Sequence, residues 1–153
     1  MRTRWKKLAV CIAIPLAVGG LAALLSGNVG ESWKTYAQPP LSPPGWVFAV
    51  VWPVLYALMG YASYLVVEAE GDKRQALILY GAQLFANFLW PIVFFRFALP
   101  GVALALLAVL WVLVLLTMRS FSELSDRADD LLLPYILWLS FALYLNFGVF
   151  VLN

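Results

Sequence analysis

The charged residues of this chain are confined to its connections. Five stretches carry none: Leu8–Ser26, Trp46–Val67, Gln75–Phe95, Gly101–Met118 and Leu131–Phe150. All 18 charged residues, 10 basic and 8 acidic, fall between or outside them. Each stretch is about 20 residues long, the length of helix that crosses a hydrocarbon layer of about 30 Å. A soluble domain needs roughly twice as many charges to cover its surface, and this chain has 12% charged and 64% hydrophobic residues. The stretches show no strand alternation, and lipid leaves no partner for free backbone N–H and C=O groups, so each reads as a helix rather than as part of a barrel. The expectation is an all-α integral membrane protein, one five-helix bundle spanning 8–26, 46–67, 75–95, 101–118 and 131–150.

Orientation follows from Lys and Arg. With the N-terminus in the cytoplasm, the inner segments hold Arg2, Arg4, Lys6, Lys7, Lys73, Arg74, Arg119 and Arg127, and the outer ones only Lys34 and Arg96. The first stretch has the basic start and small residues of a signal peptide, but it is long enough to span and reads as a retained helix. A net charge of +2 gives no reason to expect nucleic acid. The chain has no His and one Cys, which removes the commonest general base and metal ligand and any internal disulfide. No carboxylate lies within a span, so neither proton coupling at membrane depth nor paired-acid catalysis is indicated.

The outer connection from Gly27 to Gly45 is the longest. It carries Trp33 and Tyr36 and then four prolines in the six residues Pro39–Pro44, which hold the backbone stiff and extended. It is either a lid over the bundle or a plain connector. Small residues recur at four-residue spacing in the first span, at Ala9, Ala13 and Ala17 and again at Gly19 and Ala23, faces that permit close contact within the bundle or between two copies.

Three spans present polar or aromatic stripes: Trp52, Tyr56, Gly60 and Tyr64; Gln83, Asn87 and Pro91 with Trp90 beside them; and Trp138, Ala142 and Asn146. The amides belong inside, because lipid exposure is costly. They serve either as hydrogen-bonding glue between helices, or as the walls of a cavity for a flat, largely apolar ligand held by stacking and one or two hydrogen bonds. Trp5, Trp46 and Trp111 read equally as interface-belt residues.

Four runs carry a specific resemblance. Pro43-Pro-Gly-Trp-Val-Phe-Ala-Val-Val-Trp52-Pro-Val-Leu-Tyr56, Met59-Gly-Tyr-Ala-Ser-Tyr64, Gln83-Leu-Phe-Ala-Asn87-Phe-Leu-Trp90-Pro-Ile-Val-Phe-Phe95 and Pro134-Tyr-Ile-Leu-Trp138-Leu-Ser-Phe-Ala142-Leu-Tyr-Leu-Asn146 are similar to the signatures of the translocator protein family, also called tryptophan-rich sensory protein or peripheral benzodiazepine receptor. The resemblance implies a five-helix bundle, commonly a homodimer, with a pocket closed by the first long loop. It implies a ligand of the porphyrin class, protoporphyrin or haem, or a related flat apolar molecule, with no cofactor required and no metal site. By position, Trp52, Tyr56, Asn87, Trp90, Trp138, Ala142 and Asn146 are the pocket residues, and Trp33, Pro43 and Pro44 form the lid. Lys34 or Arg96 at the mouth is placed to pair with ligand carboxylates. The family's loop has a Trp-Tyr pair and a Lys before the first proline, where this chain has Ser32-Trp33 and Gln38. The fifth span also lacks the basic residue of the proposed sterol motif, so no sterol site is expected.

Two rivals to a binding protein stay open. One is an enzyme that breaks porphyrin down with light and oxygen, Trp52 and Trp138 supplying electrons; the other is a transport or regulatory subunit with no ligand of its own. The short basic N-terminus points to a bacterial cell membrane.

Overall fold

The uncharged stretches are helical but for Ser26, and each helix runs on into a charged flank at one end at least. A computed structural model describes residues 2–153. Its elements are α1 (Arg2–Leu25), α2 (Val29–Thr35), α3 (Trp46–Glu68), α4 (Arg74–Pro91) continued by one π turn (Ile92–Arg96), α5 (Pro100–Ser122) and α6 (Asp126–Leu152). All but α2 are long and apolar enough to cross a membrane, α4 counted together with its π turn. No strand occurs among the described residues. The overrun has a local cause at α6. Ser125 caps it by accepting the Ala128 N–H at 3.2 Å, and Asp126 and Asp129 sit in its first turn, where the helix dipole favours acidic groups.

The five long helices close a ring. α1 packs on α3 and α4, α3 on α6, α6 on α5, and α5 on α4. Met59, Leu107, Leu110, Phe121, Tyr135 and Leu139 fill the interior, all fully buried. α1 is the least embedded member; only Pro15, Gly19 and Ala22 are buried on it. It approaches α3 through Gly60, where a Cβ would stand 2.6 Å from the Ile12 Cα and 2.7 Å from the Cys11 carbonyl oxygen. No side chain fits at that crossing, so the two backbones meet directly.

The outer loop is more structured than its prolines suggest. Its first part forms α2, capped by the Asn28 side chain, which accepts the Glu31 N–H at 3.2 Å. Its proline-rich part is extended and fastened to the bundle. The Tyr36 hydroxyl donates to the Phe94 carbonyl at 2.7 Å, and the Tyr144 hydroxyl donates to the Pro40 carbonyl at 2.6 Å. The Asn153 side chain pairs with Ala37 twice, donating to its carbonyl at 2.9 Å and accepting its N–H at 3.2 Å. Gly148 leaves room on α6 for the Pro39 ring.

Candidate ligand-binding site

Above the Gly60 crossing α1 and α3 leave space between them. Its α1 wall is small, Gly19, Gly20, Ala22 and Ala23, while α3 and α4 face it with Phe48, Trp52, Tyr56, Asn87, Trp90 and Phe95. Gly19 is required there: a Cβ would occupy the Tyr56 ring. The result is a cavity of about 530 Å³, in the range of small-molecule sites. Val29, Gly30 and Gly45 close its outer end. Its rim residues Leu16, Gly20 and Ala23 on α1, and Trp46, Ala49 and Pro53 on α3, are exposed, so the cavity opens sideways between those helices.

The residues singled out from the sequence divide between two spaces. Trp52, Tyr56, Asn87 and Trp90 line the large cavity. Trp138, Ala142 and Asn146 line a gap of about 10 Å³ beside it, bounded also by Trp33. Phe48, Trp52, Trp90 and Phe95 border both and form the partition. Trp52 is its hub, stacked on Tyr56 at 5.6 Å between ring centroids and edge-on to Trp138 at 6.4 Å. Of the lid residues, Trp33 is buried, and its indole N–H donates to the Pro43 carbonyl at 2.8 Å, locking the loop on itself. Pro43 and Pro44 shape that loop without lining either space.

The amides are used inside the bundle. The Tyr56 hydroxyl donates to Asn87 Oδ1 at 3.1 Å, Asn87 Nδ2 to the Tyr135 hydroxyl at 2.6 Å, and that hydroxyl to Gln83 Oε1 at 2.7 Å. A second link runs from Trp90 Nε1 to Asn146 Oδ1 at 2.9 Å, and from Asn146 Nδ2 to the Pro100 carbonyl at 2.9 Å. The two sequence readings, glue and cavity wall, therefore coincide: Asn87 is both. The buried Trp138 indole N–H has no hydrogen-bond partner among the described residues. No carboxylate lines the cavity, and no cluster of three His, Cys, Asp or Glu suited to a metal occurs among the described residues. The Arg96 guanidinium donates to the Leu25 carbonyl at 3.3 Å, at the end of α1 that carries Ala22 and Ala23. Lys34 lies 3.7 Å from Glu31, both exposed.

A model of the TspO/MBR family matches residues 11–152. The chain belongs to the TspO/MBR family. It is 37% identical to the tryptophan-rich sensory protein of Cereibacter sphaeroides over 153 residues, all of this chain and 95% of that one. It is 36% identical to the tryptophan-rich protein TspO of Chlorobaculum tepidum, covering 95% of each chain. With the translocator protein of Bos taurus it shares 34% identity over 96% of this chain and 90% of the other. The four signature runs of this TspO/MBR protein fall on the site: the first supplies the α3 wall, the second the Gly60 crossing, the third the α4 wall and the fourth the small gap.

The α1 wall is not legible in the sequence as part of a site. Gly19 and Ala23 read there as a packing pair, and helical spacing alone does not say whether a small face meets a helix or a void. Phe48 and Phe95 are hidden among other apolar residues. The alternation of a glycine-rich face on one helix with an indole-rich face on the next is the available signal.

Proposed function

We propose that this TspO/MBR membrane protein is a receptor or translocator-type binder of porphyrins, protoporphyrin and haem, and of related flat apolar molecules. One observation carries the reading: a 530 Å³ cavity whose walls are aromatic rings and small residues, with Tyr56 and Asn87 as the polar side chains at its floor. Such walls favour a planar guest by stacking and burial. The carboxylates of a porphyrin belong at the outer end, where Arg96 is placed to pair with them and Lys34 is offset by Glu31. The chain has no His, so no imidazole reaches a haem iron, and binding does not depend on the metal.

The test is titration with protoporphyrin, read by quenching of tryptophan fluorescence. Saturable quenching at micromolar ligand is expected, weakened about tenfold by Trp52→Ala, which removes a stacking face, and weakened also by Asn87→Ala. No quenching would favour a subunit without its own ligand. Metal-free porphyrin binding orders of magnitude more weakly than haem would refute the pocket as described.

Light-driven, oxygen-dependent porphyrin breakdown is the second reading. It is favoured by the contact series Trp90, Trp52 and Trp138, with successive ring centroids 6.4 Å apart. Bleaching in Trp138→Phe equal to that of wild type would remove it. Two further proposals follow from surface features. Ala9, Ala13 and Ala17 remain exposed on α1, which suits a homodimer, and the basic residues Arg2, Arg4, Lys6 and Lys7 favour an N-terminus on the cytoplasmic side.

A further inference from the structure

Four prolines lie within the long helices, Pro15, Pro53, Pro91 and Pro134. Each lacks an N–H, so each leaves the carbonyl four residues earlier without its helical donor: Cys11, Ala49, Asn87 and Asp130 in turn. In a membrane such a group must find another partner or remain costly. Two of the four are accounted for. The Cys11 oxygen lies at the helix crossing, 2.7 Å from where a Gly60 Cβ would stand, so the Gly60 backbone covers it. Asp130 lies in the charged first turns of α6, at the polar end of the bundle.

The other two lie at the cavity, Ala49 on its exposed rim and Asn87 buried in its wall. Ala49 and Pro53 line it together, and so do Asn87 and Pro91. A helical carbonyl points along the axis toward residue i+4 on the same face, so in each pair the unbonded oxygen is directed along the cavity wall. No side chain among the described residues donates to either carbonyl: the cavity's Tyr56 hydroxyl is given to the Asn87 side chain and the Trp90 indole to Asn146. The next N–H beyond Pro91 does not compensate, because Ile92 donates to the Leu89 carbonyl.

We propose that the main-chain carbonyls of Ala49 and Asn87 are hydrogen-bond acceptors of this cavity, and that they select flat apolar ligands carrying an N–H or O–H donor at the edge. This rests on the cavity being the ligand site. It adds a rule for which planar molecules are held there: apolar area gives affinity, and an edge donor gives preference. A donor that fills either oxygen also removes the cost of leaving it bare in a dry site.

Carbazole and N-methylcarbazole separate the two contributions. Both are planar tricycles, and only the first has an N–H. Binding is measured by calorimetry on the full chain in detergent, with partition into empty micelles subtracted. Wild type is expected to prefer carbazole by about five- to tenfold, the effect of one hydrogen bond made in a buried site. Pro53→Ala with Pro91→Ala restores both helical donors and is expected to bring the ratio of the two affinities to about one, whatever change the altered wall makes to both probes alike. Equal affinities in wild type would overturn the carbonyl assignment and leave the cavity standing as a site. A preference that survives both substitutions would overturn it as well, since the donor then goes elsewhere. Binding of neither probe would overturn the cavity reading and the assignment with it. If the variants do not fold, infrared spectroscopy of wild type with carbonyl-labelled asparagine tests the same contact. Carbazole, and not N-methylcarbazole, should lower the frequency of a labelled amide band; no difference between the two probes would overturn the role of Asn87.

Discussion

The Gly60 crossing makes the sharpest prediction, because two effects of known size oppose each other there. Glycine to alanine in a helix ordinarily stabilises, by about 1 kcal/mol of backbone entropy and propensity. At Gly60 the added methyl would stand 2.6 Å from the Ile12 Cα and 2.7 Å from the Cys11 oxygen. Carbon atoms rest about 3.5–4.0 Å apart, so α1 must withdraw by roughly 1 Å. Both obstacles are backbone, and no rotamer change relieves them. Overpacking of this kind costs about 1–3 kcal/mol. Gly60→Ala is therefore expected to destabilise by up to about 2 kcal/mol net, lowering the melting temperature in detergent by up to about 6 °C. Gly81 is the matched control, a helical glycine with nothing within 4 Å of its Cβ position, and Gly81→Ala should be neutral or stabilising. Cys11, the single cysteine, lies at the crossing and serves as reporter. Its labelling by a maleimide should accelerate in Gly60→Ala and not in Gly81→Ala. If Gly60→Ala matches Gly81→Ala in both melting and labelling, α1 has slack at this point and the close contact does not hold it.

Three other outcomes follow from the hydrogen bonds. Tyr135→Phe removes the hydroxyl between Asn87 and Gln83, leaving two buried amide groups short of a partner; a loss of about 2 kcal/mol is expected in thermal or denaturant unfolding. Asn153→Ala frees the Ala37 amide from the side chain that accepts it, and hydrogen exchange at Ala37 should quicken while α5 is unaffected. Burial raises the Tyr36 phenol above its usual pKa of 10.0. The neutral phenol is the form that donates to Phe94, so this lid contact should be constant up to about pH 10 and should weaken above it, which exchange at the loop amides against pH will show.

The helices and their number are legible in the sequence because charge is excluded from the bilayer and hydrogen bonding is enforced within it; both constraints act on composition alone. The inward direction of Gln83, Asn87 and Asn146 is legible for the same reason, and all three are buried. Partners are not. Nothing in the spacing of Asn87 says that it bonds Tyr56 and Tyr135, residues 31 and 48 positions away. The division of the seven pocket residues between two spaces depends on which way the Trp52 and Phe48 rings turn, a matter of packing rather than pattern. The short helix α2 is masked by the prolines after it, although Asn28 ahead of Glu31 is a reasonable start signal.

The partition between the two spaces is one aromatic ring thick. A side-chain rotation at Trp52 or Phe48, which border both, would join the small gap under Trp33 to the chamber beside α1. The inner gap adds only about 10 Å³ to a chamber of about 530 Å³, so such a rotation reshapes the wall that a guest meets rather than enlarging the room it has.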